Sequence, residues 1–160
     1  MGASTHRYVI ALGSNMRVGS IGGPRQVLAA ALAAMREGGI EVVACSRIRT
    51  SRPLGPSLRL YANSAALAET RFPPEEMLAA LQDLEARFGR KRRGARWRSR
   101  PLDLDIVLWS GGMWHSPRLV IPHPLFRDRE FVTGPAAEIA PHWRDPATGL
   151  TLRQIAARAV

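Results

Sequence analysis

Two stretches of helical period, each set between extended apolar runs, limit the topologies open to this chain. In "GGPRQVLAAALAAMREGG" the residues Val27, Leu28, Ala31, Leu32 and Met35 return every three or four positions and mark one apolar face. Pro24 suits the first turn, and Gly38 with Gly39 ends the pattern. In "PPEEMLAALQDLEARFG" the apolar side is Met77, Leu78, Leu81, Leu84 and Phe88, opened by Pro and two acids. The flanking runs read as strands: "RYVIALGSN" ending in a turn, "IEVVACSRIRT", "LYANSAALAE", and Leu104 to Trp109. "SRPLGPSLR" is a loop, punctuated by two Pro and a Gly.

The order strand, helix, strand, strand, helix, strand predicts an α/β (α+β) fold with a ferredoxin-like β-α-β-β-α-β core. Its sheet is antiparallel with helices packed on one face. The last third of the chain adds short pieces and a terminal helix from about Thr151 as a C-terminal extension. No repeat or long linker divides the 160 residues, so 1–160 reads as a single domain. No apolar run reaches the ~18 residues of a membrane span, and the N-terminus fits neither a secretory signal nor a myristoylation pattern. Cys45 is the one cysteine, which excludes an intrachain disulfide and a cysteine metal cage. Its apolar neighbours predict a small buried residue in a reducing cytoplasm.

The net charge of +10 raises the question of nucleic acid. The charge is local, however. Arg87 to Arg100 holds seven Arg and one Lys with no acid, and removing those eight leaves 15 basic against 13 acidic residues. The excess stands immediately before "RPLDLDIVLWS", where Asp103 and Asp105 open an apolar strand. Residues two apart in a strand share a face, with Cα atoms roughly 6.6 Å apart. Two carboxylates so placed repel each other and need positive charge nearby. Either they pair with arginines, or they hold a divalent metal. Mg²⁺ prefers carboxylates together with substrate phosphates, and Arg forks suit phosphate. The block "GRKRRGARWRSR" is either a solvated or RNA-binding loop, or a segment that closes over a triphosphate and excludes water.

Two further groups stand out. His123 lies between two prolines with Arg129 six residues on, a structural His or a second phosphate contact. Tyr61 and Asn63 share a strand face. They can stack on and hydrogen-bond a flat heterocycle, or be an edge-strand Tyr and a solvated Asn, and composition does not choose. There is no P-loop, nucleophile elbow or H-E-x-x-H helix, so bound ATP would need another cradle.

Four stretches in order, "ALGSN", "RPLGP" with "YANSA", "QDLEARFGRKRRGARWRSRPLDLDIVL", and "IPHPLFRDREFV" followed by "PAAEIAP", resemble the 6-hydroxymethyl-7,8-dihydropterin pyrophosphokinases of folate biosynthesis. The resemblance runs from about Tyr8 to Pro141 and is most specific from Gln82 to Leu108. It implies transfer of pyrophosphate from ATP to the pterin hydroxymethyl group, leaving AMP, by a ferredoxin-like domain with three mobile loops and two Mg²⁺ brought with ATP. By position it implies that Asp103 and Asp105 hold both ions. Gln82, Glu85, Arg100, Arg118, His123 and Arg129 would surround ATP. Arg90 and Arg92 would lie on a catalytic loop that closes with Trp97. Tyr61 and Phe131 would sandwich the pterin, Asn63 would read its edge and Leu54 would line the pocket. ATP and hydroxymethyl-dihydropterin are then the partners, with no nucleic acid or membrane, for a cytoplasmic monomer.

The chain departs from that pattern in several places. The loop between Gly55 and Tyr61 lacks the usual D-Q-P. Arg98 and Ser99 replace a Gly-Pro, Pro101 replaces a Thr, and Leu125 stands where an Arg is usual. Two rival functions differ in their marks. A ferredoxin-like RNA-binding module needs aromatics on exposed central strands, which "RYVIALGSN" and "LYANSA" do not supply. A two-metal nucleotidyltransferase keeps Gly-Ser close ahead of its acids, whereas Ser14 and Asp103 are 89 positions apart.

Overall fold

A computed structural model describes residues 4–51, 61–89 and 101–158. Strand β1 (His6–Ser14) is central. It pairs antiparallel with β4 (Tyr61–Thr70) on one side and β5 (Asp103–Trp109) on the other. β2 (Glu41–Cys45) lines the far edge of β4, giving the order β2-β4-β1-β5. This is the antiparallel sheet predicted for the split unit. Helices α1 (Pro24–Glu37) and α2 (Pro74–Gly89) form where the helical period lies. Met35 O accepts the Ile40 N–H across Gly39, whose φ of +88° closes α1 in a way a side chain would resist.

The sheet is buried on both faces. Tyr8, Ile10 and Leu12 of β1, Ala62, Ala66 and Ala68 of β4, and Leu104 and Ile106 of β5 pack against α1 and α2. The opposite face carries Val9, Ala11, Ala65 and Val107. It is covered by a short 3-10 turn (Phe126–Asp128), helix α3 (Glu130–Ile139) and helix α4 (Leu152–Arg158), through Phe126, Val132, Ala136, Leu152 and Ile155. Helices therefore cover both faces, not one. The terminal extension supplies the second layer, which is why β1 and β5 read as nearly continuous apolar runs. β6 (Trp114–His115) and β7 (Val120–Ile121) form a small hairpin beside β5.

Two expectations need correction. The run "IEVVACSRIRT" is two strands, β2 and β3 (Arg49–Ser51), both paired to β4. Ser46 makes the break: its hydroxyl, in place of a backbone carbonyl, accepts the Ala65 N–H at 2.9 Å. Cys45 is exposed, because β2 is an edge strand whose odd residues turn outward, Val43 (46% exposed) with it. The terminal helix begins as expected beside Thr151. Thr151 Oγ1 accepts the Gln154 N–H at 3.2 Å and Gln154 Oε1 accepts the Thr151 N–H at 2.9 Å, a reciprocal cap.

Candidate active site

The site is built where the C-terminal end of β1 meets the N-terminal ends of β4 and β5. Gly13 stands opposite Asn63 on one side and Asp103 on the other. Two residues back, Ala11 stands between Ala65 and Asp105. Direct cross-strand partners share a face, so Asn63, Asp103 and Asp105 lie on the face that also carries Ala11 and Ala65. The floor between Asn63 and Asp103 is bare backbone. A Cβ on Gly13 would stand 3.3 Å from Asn63 Oδ1. Sequence reasoning quoted this glycine without giving it a role, because its significance depends on the register of three strands.

His123 of the extension lies near Asp105. The His123 backbone N–H donates to Val107 O at 3.1 Å, which lays the Pro122–Pro124 segment along β5. The exposed Leu125 donates its N–H to His123 Nδ1 at 3.1 Å. That direction assigns the His proton to Nε2. Burial pushes the His123 imidazole below its ordinary range, Asp105 pulls it up, and Arg129 pushes it down again. His123 is therefore neutral at pH 7, with one N–H left to donate. Arg129 lies over the Phe131 ring, 5.8 Å from its centroid. Phe131 (52% exposed) and Tyr61 (39%) are the aromatic members of the exposed large hydrophobics among the described residues. Tyr61 shares the face of Asn63 by strand period, and α3, which carries Phe131, packs on β4.

α2 contributes from the edge of β5. Glu85 Oε2 accepts the Leu104 N–H at 2.8 Å, fixing the strand between the two aspartates. Gln82 Oε1 accepts from Arg118 Nη2 at 3.4 Å, so these two expected ATP contacts meet each other. A Cβ on Gly89 would stand 3.6 Å from Pro101 Cδ, so the flanks of the basic block come together beside the Asp pair. Leu54, Arg90, Arg92, Trp97 and Arg100 lie outside the described residues. Among the described residues there is no cluster of three or more His, Cys, Asp or Glu that would cage a metal alone. Two carboxylates fit an ion that takes its remaining ligands from water and substrate phosphate. No helix among the described residues is long and apolar enough to cross a membrane.

A family profile described as 7,8-dihydro-6-hydroxymethylpterin-pyrophosphokinase matches residues 9–141. Three bacterial proteins similar to the chain are each named 2-amino-4-hydroxy-6-hydroxymethyldihydropteridine pyrophosphokinase. That of Synechocystis is 39% identical over 150 residues, covering 94% of this chain and 74% of that one. That of Pseudomonas aeruginosa is 39% identical over 142 residues, covering 88% and 84%. That of Haemophilus influenzae is 41% identical over 133 residues, covering 82% and 79%.

Proposed function

The chain belongs to the 7,8-dihydro-6-hydroxymethylpterin-pyrophosphokinase family, and from that premise we propose how its own residues carry the reaction. It is an ATP-dependent pyrophosphoryl transferase of folate biosynthesis, acting on the hydroxymethyl group of 6-hydroxymethyl-7,8-dihydropterin. The pterin hydroxyl oxygen attacks the β-phosphorus of ATP, the bond from that phosphorus to the α-phosphate oxygen breaks, and AMP leaves. No protein nucleophile is required, because positioning and charge neutralisation carry phosphoryl transfer.

Asp103 and Asp105 would hold two Mg²⁺ brought with ATP, which supply charge neutralisation on the polyphosphate. His123 donates Nε2–H, and Arg129, Arg118, Gln82 and Arg100 add further donors around the nucleotide. Glu85 holds β5 in place under it. Arg90 and Arg92 act on closure of the basic block with Trp97, as the charge that meets the transferring group. Tyr61 and Phe131 stack on the pterin, Asn63 pairs with its edge, and Leu54 lines the slot. The enzyme is one domain over 1–160, working as a monomer in the cytoplasm.

The observation that supports this assignment is a single one. His123 lies close enough to both Asp105 and Arg129 to feel their charges, and Asp105 is one step along the sheet from the Asn63–Gly13–Asp103 row. Acidic, basic and heterocycle-reading groups thus converge on one sheet face. Neither rival function gains support: the matched proteins are named pyrophosphokinases, and among the described residues the exposed large aromatics are Tyr61 and Phe131 rather than a strand pattern. Separation of labelled ATP products with and without hydroxymethyl-dihydropterin tests the assignment. AMP is expected only when pterin is present, and pterin-independent AMP or ADP would overturn it.

A further inference from the structure

Arg49 has no part in the roles assigned above, yet it joins two elements that carry them. It stands opposite Asn63 in the β3–β4 register, on the face that α3 covers. Its Nη2 donates to Glu138 Oε1 of α3 at 3.2 Å. Glu138 Oε2 also accepts the Arg47 backbone N–H at 2.7 Å, so one carboxylate grips the strand segment at two points. These bonds, the backbone one first, hold Glu138 below the usual carboxylate range.

Gly134 belongs to the same arrangement. A Cβ at Gly134 would stand 2.6 Å from Arg49 Nη1. Glycine inside a helix is less stable than alanine, and room for this guanidinium accounts for its presence. Phe131, Gly134 and Glu138 recur at i, i+3 and i+7, one stripe of α3. Phe131 heads the stripe and belongs to neither apolar core. Packing of Val132 and Ala136 holds the helix against the sheet, and the Arg49–Glu138 bond adds a second anchor on the stripe that Phe131 heads.

We infer that Arg49 is a positioning residue: held across Gly134 by Glu138, it sets the rotation of α3 at which Phe131 opposes Tyr61 across the pterin slot. This rests on the reading of Tyr61 and Phe131 as the two faces of that slot. Asn63, the register partner of Arg49, then reads the pterin edge from the same anchored piece of sheet.

The test compares Arg49→Ala, Arg49→Lys, Gly134→Ala and Phe131→Ala by calorimetric titration. 6-Hydroxymethylpterin and a non-hydrolysable ATP analogue are titrated separately, and thermal unfolding is followed in parallel. Arg49→Ala is expected to weaken pterin binding about two- to fivefold, the range a half-exposed ion pair can return, and to leave the analogue unchanged. Gly134→Ala should do the same by displacing the guanidinium, while thermal stability holds or rises because alanine favours the helix. Arg49→Lys should recover most of the loss, since its ammonium still reaches Glu138. Phe131→Ala should cost more than about tenfold in pterin affinity alone. If Phe131→Ala weakens pterin binding while Arg49→Ala and Gly134→Ala do not, the positioning role is wrong and the stacking role stands. If Phe131→Ala leaves pterin binding intact, the stacking role fails and the positioning role with it. Parallel loss of both ligands and of stability in Arg49→Ala would make Arg49 a general structural residue and overturn the inference.

Discussion

Asp103 and Asp105 show how one residue's placement and its chemistry pull in opposite directions. Two carboxylates on one face of a buried strand repel each other, and on the proposed assignment bound cations and phosphate offset that repulsion. Asp105→Ala should therefore abolish turnover while leaving the melting temperature unchanged or slightly higher. Turnover within about tenfold of the parent, where loss of a phosphate-neutralising contact costs ~10²–10³, would remove Asp105 from the metal site. Gly13 carries the complementary lesson. Gly13→Ala puts a methyl 3.3 Å from Asn63 Oδ1, so the amide must give by a few tenths of an ångström. Pterin KM should rise with ATP KM unmoved, and an equal rise in both would mean the whole sheet end had shifted. The acidic pair was legible in the sequence because strand period alone puts the two on one face. The role of Gly13 was not, since it needs β4 and β5 in register on either side. Glu85 lies between these cases: its place beside the site was legible, its hydrogen bond to the Leu104 N–H was not.

At the scale of elements, legibility followed the strength of the local signal. α1 and α2 were plain because their apolar residues keep a helical period over three or four turns. α3 was missed because Gly134 and Pro135 interrupt its middle, and only burial of Val132, Thr133 and Ala136 on the sheet makes the helix favourable. The turn ahead of it is tied down by Asp145, fully buried, which accepts two bonds from Arg127, one from the Ala147 N–H and one from the Thr148 hydroxyl. Burial pushes the Asp145 carboxyl up, but the Arg127, Ala147 and Thr148 bonds together hold it below the usual range. A carboxyl depressed in the folded state contributes stability that is present above its unfolded pKa and lost as pH falls through the folded one. Asp145→Asn should cost about 2 kcal/mol at neutral pH, less than the ~3–5 of a fully buried pair because Arg127 is partly exposed. The cost should shrink as pH falls below the ordinary carboxylate range, where the parent loses the same interaction. Denaturant midpoints over that fall in pH decide it, and parallel curves for the two proteins would assign the acid sensitivity elsewhere.

At the scale of the whole molecule, the proposed assignment has the two substrates held by different forces. The pterin slot would be mainly aromatic, lined by Tyr61, Asn63 and Phe131. The nucleotide side would carry the charge: eight of the 23 basic residues fall between Arg87 and Arg100, and the rest of the chain is close to neutral. This was readable from the sequence, and the fold adds that the block's flanks, Gly89 and Pro101, meet beside the aspartates. A basic excess concentrated at one place makes a field that draws polyphosphate and is screened by salt. The Debye length falls from about 10 Å at 0.1 M to about 3 Å at 1 M, while stacking and buried hydrogen bonds are hardly affected. Raising KCl across that range at constant free Mg²⁺ should therefore raise the KM for ATP several-fold and leave the pterin KM within about twofold. Arg118→Ala should reduce the salt sensitivity of ATP binding without touching that of pterin, since Arg118 donates to Gln82, which the proposed assignment puts at the nucleotide. Equal salt dependence for the two substrates would mean that the basic block acts on the enzyme as a whole, and the division of the site into a charged half and an aromatic half would have to be given up.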